Sequence, residues 1–137
     1  EVRTMGSDVM LPTISAGDPI VIDKGAYADE NPSRGQIVAH HIPDAPEDRI
    51  GVLRVVAVGG DTMRVAEGKL YVNDMDEPWD ESPYINEPMQ YDVAKTTIPE
   101  GHVYLLGDNR NDAFDSHYFG PLRLEDVVGR VVDIRED

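Results

Sequence analysis

The chain has 137 residues, with 12 Lys and Arg against 27 Asp and Glu, a formal net charge of −15 and no Cys. One domain is the default at this length, with a core that removes roughly two-thirds of the unfolded chain's surface from water. The missing Cys excludes a disulfide framework, a thiolate zinc site and a cysteine nucleophile, and the surplus negative charge argues against nucleic acid, whose phosphates require a positive footprint.

The 12 Gly and 10 Pro punctuate short runs rich in Val and Ile, and helical periodicity is nowhere sustained. Strands are predicted at Pro19–Lys24, Gln36–His41, Arg49–Val58, Thr62–Ala66, Lys69–Asn73, His102–Leu106 and Val127–Arg135. The segment from Thr62 to Asn73 reads as a hairpin turning at Glu67-Gly68. Arg49–Val58 is nearly all apolar, as suits a strand covered on both faces, and Arg54 within it needs a partner. Residues 74–87 carry six acids, two prolines and no basic residue, which predicts an exposed irregular excursion. No stretch approaches the roughly 20 apolar residues that cross a bilayer.

The densest polar stretch runs from Gly107 to Gly120. Its acids Asp108, Asp112 and Asp115 do not fit a calcium loop, because Arg110 and Ala113 stand where that loop needs an oxygen ligand and a glycine. A braced loop suits it better, with Asp and Asn bonding backbone amides and Arg110 pairing carboxylates. His40 and His41 are adjacent on a strand and face opposite ways, so they read as ordinary strand histidines. His117 has Ser116 next to it, which is poor geometry for a catalytic pair.

Near the start stand Ser7-Asp-Val-Met-Leu-Pro-Thr13 and Gly17-Asp-Pro-Ile-Val-Ile-Asp-Lys24, followed by Arg34-Gly-Gln-Ile-Val, by Arg54 seven residues before Asp61, and by Gly107-Asp-Asn-Arg. Five blocks in this order, spread over essentially the whole chain, closely resemble type I signal peptidase. The opening through Thr13 and the stretch Pro83-Tyr-Ile-Asn-Glu-Pro88 resemble most the thylakoid and cyanobacterial branch. The resemblance implies a mostly β fold over 1–137, with coiled antiparallel sheets and a small subdomain at 62–92 formed by the hairpin and the acidic excursion. It further implies a serine endopeptidase on the periplasmic or lumenal side of a membrane. Its anchor would lie upstream of Glu1, and it would use no metal or cofactor and remove signal peptides with small residues before the cut.

Two positions depart from that pattern. Family members attack with a serine immediately before the Met of their first block and activate it with a lysine immediately before the Arg that matches Arg54. Here these positions hold Val9 and Leu53. Valine has no lone pair to attack a carbonyl and leucine accepts no proton. In another serine protease, losing either partner costs on the order of a million-fold in turnover. Gly6 replaces a frequent Pro, and Ala57-Val-Gly-Gly-Asp61 replaces the usual Gly-x-Pro-Gly-Asp.

Other residues carry over from the family. Ser7 matches an oxyanion-hole position of some relatives and would share the direction of position 9 only if the segment is extended. Met10, Pro12 and Thr13 would shape the peptide-binding edge. Arg54, Asp108, Asn109, Arg110, Asp115 and Ser116 would brace the cleft. The remaining lysines, Lys24, Lys69 and Lys95, fall at a strand end, in the hairpin and in an expected loop, and none resembles the family base.

The expected function is binding without cleavage, to an extended signal-peptide-like segment, a partner protein or an active signal peptidase. Two alternatives remain open. One is a working peptidase, either with a relocated nucleophile or with its natural dyad deliberately replaced. The other is a purely structural interaction module.

Overall fold

Runs of β-branched residues broken by Gly and Pro give eleven strands and one short helix over residues 1–76 and 88–135, the part of the chain that the computed structural model describes. In chain order the strands are β1 (Val2–Thr4), β2 (Pro19–Asp23), β3 (Ile37–His41), β4 (Ile50–Val58), β5 (Thr62–Ala66) and β6 (Lys69–Val72). They continue with β7 (Met75–Asp76), β8 (Val93–Thr97), β9 (His102–Leu106), β10 (Leu122–Arg123) and β11 (Val127–Ile134). The helix α1 spans Ser116–Phe119. Most of the predicted excursion, residues 77–87, lies outside the described residues.

The strands form two curled antiparallel sheets, one of seven strands in the order β1-β2-β11-β3-β4-β9-β10 and one of four in the order β7-β6-β5-β8. β11 joins the halves of the large sheet, pairing β2 along one stretch and β3 along another, with register shifts at Val127/Gly129 and Val131/Asp133. Such irregularities bend a strand and increase its twist, which lets one strand serve both neighbours in a coiled sheet. Within β4, residues Val52 to Ala57 are all buried, because both faces are covered. Leu53 and Val55 pack with Val38 and Leu105 in one cluster. Val56 and Ala57 join Met63, Val65, Leu70 and Val72 in the cluster that ties the large sheet to the small one.

The hairpin turns where the sequence places it. Glu67 and Gly68 both have positive φ, 54° and 81°, the backbone that a two-residue turn needs to match strand twist. Across the ladder Arg64 lies over the Tyr71 ring at 4.0 Å.

Four strands escape the sequence reading: β1, β7, β8 and β10. Each is short, and β1 and β8 alternate only weakly between buried and exposed positions, so pairing to a neighbour rather than composition makes them strands. Lys95, expected in a loop, stands in β8, and the small sheet continues past residue 92 to Thr97.

Candidate functional site: a cleft at Val9 and Leu53

After β1 the chain does not stay extended. Leu11 N–H donates to the Asp8 carbonyl at 3.1 Å, and Thr13 and Ile14 donate to Met10 at 2.8 and 3.0 Å, so residues 8–14 coil into consecutive turns. The condition for Ser7 to share the direction of position 9 by strand alternation therefore fails.

These turns are held from the polar loop that follows β9. Asn109 donates its backbone N–H to the Val9 carbonyl at 3.0 Å and its side-chain amide to the Asp8 carbonyl at 3.1 Å. Asp108 N–H points at the Met10 sulfur, 3.4 Å away, while Thr13 Oγ1 donates to Asp108 Oδ2 at 2.6 Å. Gly107 allows this approach, since a Cβ there would stand 2.5 Å from the Val9 carbonyl oxygen and 2.6 Å from Ala113 Cβ.

Arg54 finds the partner its burial demands. Its Nε and Nη2 donate to the two Asp108 oxygens at 2.8 and 2.9 Å, and Nη1 donates to the Gly35 carbonyl at 2.5 Å. A fork that meets both carboxylate oxygens combines charge with fixed geometry. Asp108 thus ties β4 to the Met10–Thr13 turn.

Asp115 supports the same loop from its far end. It caps α1, accepts the Gly107 and His117 backbone N–H groups at 3.0 and 3.1 Å, and receives His117 Nδ1 in a short contact. Burial pushes its carboxyl above the usual range, against the lowering effect of those donors. Ser116 Oγ accepts Leu105 N–H at 2.9 Å, and the His117 ring stacks on Tyr91 at 3.8 Å. Ser116 and His117 are therefore parts of a scaffold, and Asp108 and Asp115 are engaged within the protein. Arg110 is buried in the same loop.

Above this support lies a cleft of about 570 Å³. Its walls include Arg3, Thr4 and Ser7 from β1 and the segment after it, Val9, Leu53 on β4, His40 on β3 and the exposed Phe114. The two positions that depart from the resemblance thus meet in one cavity. Leu53 is 2% exposed within its core cluster, and Val9 packs against that cluster.

Of the residues carried over as oxyanion-hole or peptide-edge positions, only Ser7 lines this cleft. Met10 is fully buried among Met5, Ile14 and Ile20, because the turn directs its side chain inward. Thr13 is committed to Asp108, and Pro12 is exposed outside the cleft lining. His40, read as an ordinary strand histidine, is a cleft wall. Strand register carried the signal, since His40 and Val38 share a face and Val38 pairs with Leu53.

Comparison with known proteins agrees with this architecture. The family described as signal peptidase, peptidase S26, matches residues 1–134. The chain is 38% identical to thylakoidal processing peptidase 1 of Arabidopsis thaliana over 141 residues, covering 96% of this chain but 41% of that protein. It is 32% identical to signal peptidase I of Leptolyngbya laminosa, covering 96% of this chain and 66% of the relative. The crystal structure of a signal peptidase I from Enterococcus faecalis superposes with a TM-score of 0.61 at 26% identity, over 75% of this chain and 98% of that one. With matching motifs, matching fold and a family match over nearly its full length, the chain belongs to the signal peptidase family, peptidase S26.

Proposed function

We propose that this chain is a non-hydrolysing member of its family, which grips extended signal-peptide-like segments at the outer or lumenal face of a membrane. The observation that carries this reading is the pairing of Val9 with Leu53 in one cleft, at the positions where relatives place the nucleophilic hydroxyl and the amine that activates it. Neither side chain can donate, accept or attack.

The surroundings of the lysines and of the cleft histidine, among the described residues, support this reading. Lys24 and Lys95 have side chains 54% and 56% exposed, each beside a carboxylate, and Lys69 is exposed in the hairpin. All three are open to solvent rather than desolvated as such a base requires. The imidazole in the cleft is not bonded to a hydroxyl, since His40 Nε2 has no hydrogen-bond partner and Ser7 does not reach it.

Binding has separate support. β1 is the free edge of the seven-stranded sheet, and its Arg3 and Thr4 line the cleft. An extended peptide can add to such an edge through main-chain hydrogen bonds without any nucleophile. Among the described residues no helix is long and apolar enough to cross a membrane, so attachment in this reading falls to a segment other than those helices.

The decisive comparison sets the purified chain beside its Val9→Ser, Leu53→Lys double variant on a fluorogenic signal-peptide substrate. We expect no turnover by the unmodified chain and cleavage by the double variant. Hydrolysis by the unmodified chain overturns the proposal in favour of a relocated nucleophile.

A further inference from the structure

Among the described residues, His40 is the one buried polar side chain that lines the cleft. It stands opposite Gly51 in the β3–β4 ladder, one pair along from Val38 and Leu53 on the same sheet face. His40 and Leu53 are therefore diagonal neighbours. The missing side chain at position 51 admits the ring, since a Cβ there would lie 2.6 Å from Nε2 and 2.9 Å from Cε1.

The protonation pattern of the ring follows from its contacts. Nδ1 lies 2.9 Å from the His41 carbonyl oxygen. A carbonyl only accepts, so Nδ1 carries the proton and Nε2 presents a lone pair. That lone pair has no partner in the protein, although the ring is 1% exposed. Buried acceptors in native structures are nearly always satisfied, and an orphan in a cleft calls for a donor from outside the chain. Around the ring, Phe119 lies 6.3 Å away, the His41 carbonyl is bonded to Nδ1, and the His41 ring and Asp126 act through longer-range charge. No carboxylate hydrogen-bonds it, and burial of the ring opposes an imidazolium against the pull of the His41 carbonyl and Asp126.

We propose that His40 makes the cleft selective for extended segments that place a neutral hydroxyl-bearing side chain, serine or threonine, beside Leu53, with the hydroxyl donating to Nε2. The proposal rests on the peptide-binding reading above and names the ligand class of that site. Alanine would leave the acceptor orphaned, and a carboxylate brings no donor. A lysine would have to lose its hydration against the apolar Val9 and Leu53 side chains.

The test uses fluorescence anisotropy with labelled signal-peptide-like segments in which each alanine in turn is replaced by serine or threonine. We expect one register at which the hydroxyl peptide binds the unmodified chain about tenfold tighter than its alanine parent, or about 1.4 kcal/mol. The ratio of the two affinities should fall to about one in His40→Phe, and the preference should survive in part in His40→Gln, whose amide oxygen can accept. Binding of neither peptide overturns the cleft reading and this proposal with it. Equal binding of both peptides by the unmodified chain leaves the cleft reading standing and overturns the selectivity, as does an equal loss of both in His40→Phe. Nitrogen-15 spectra of the unmodified chain give a readout free of substitution. Nε2 should be unprotonated at pH 7 and shift with the hydroxyl peptide but not with its parent, and a protonated Nε2 overturns the proposal.

Discussion

Arg54 and Asp108 lie 54 positions apart in the chain and meet through two parallel hydrogen bonds, at 2.8 and 2.9 Å. Both side chains are almost wholly buried. The pair also meets Thr13 and the Gly35 carbonyl, so a single carboxylate links β4 of the large sheet to the turn that carries Val9. Removing one partner strands the other charge in a dry interior, which typically costs about 3–5 kcal/mol. Asp108→Ala should therefore lower unfolding free energy in urea by about that amount. Arg54→Leu with Asp108→Leu should lose clearly less than Asp108→Ala, because no charge is left behind. Equal losses would show that packing rather than charge pairing dominates.

The approach of the Gly107 backbone to Val9 makes a sharper geometric prediction. An added methyl would stand 2.5 Å from the Val9 carbonyl oxygen and 2.6 Å from Ala113 Cβ, both far inside contact distance. The nearer obstacle is backbone, which cannot swing aside. Gly107→Ala should cost about 1–3 kcal/mol as an overpacking change and break the Asn109 N–H bond to Val9. Thermal unfolding checks the first effect. Hydrogen exchange at the Asn109 amide checks the second, with faster exchange expected. A variant with unchanged exchange would mean that the turn tolerates the displacement.

Much of this was legible in the sequence, and the limits have physical causes. The hairpin was readable because Glu67-Gly68 sits between alternating runs, a signal that is local in both composition and geometry. The covered strand around Arg54 was readable from its apolar run, and the charge inside it announced a partner without naming which of several acids it was. Asp108 could be identified only once tertiary structure joined two distant segments. Strands such as Val93–Thr97 are fixed by the neighbour that pairs with them; Val93, Thr96 and Thr97 are β-branched, but the run is short and does not alternate apolar with polar residues. Met10 was misplaced for a related reason, since its direction depends on the tight turns at 8–14 rather than on strand alternation. His40 was underestimated because its meaning depends on what stands across the ladder, a glycine that leaves its ring nitrogen unmatched.

The same histidine gives stability a predictable dependence on pH. Burial lowers the His40 pKa below its ordinary 6.5, opposed by the His41 carbonyl bond and by Asp126 and reinforced by the charge of His41. A group whose folded pKa is depressed binds its proton more readily when unfolded. Its stabilising contribution is present above the unfolded value near 6.5 and is lost as pH falls through the folded value. Unfolding free energy should thus decline as pH drops below 6.5, and His40→Phe should flatten that decline. Paired urea titrations at pH 7.5 and 5.5 measure it. Parallel declines in both proteins would assign the effect to another group.

Placing a lysine at position 53 tests whether the cleft can hold the amine that the proposed function assigns to this position in relatives. Leu53 is 2% exposed and packs with Val38, Val55 and Leu105, so an ammonium there must either lose its hydration or displace those neighbours. Burial favours the neutral amine and drives a lysine pKa down from about 10.4. By linkage the stabilising contribution of such a group is smallest below its folded pKa and grows as pH rises toward the unfolded value. Leu53→Lys alone should therefore be destabilised at pH 7, by about 2–5 kcal/mol if the loss is comparable to truncating the leucine, and should recover part of that loss by pH 9.5. Chemical denaturation at the two pH values reads the difference directly. A penalty that does not change with pH would mean that the ammonium reaches water through the cleft mouth, leaving the amine too well hydrated to act as a base in the double variant.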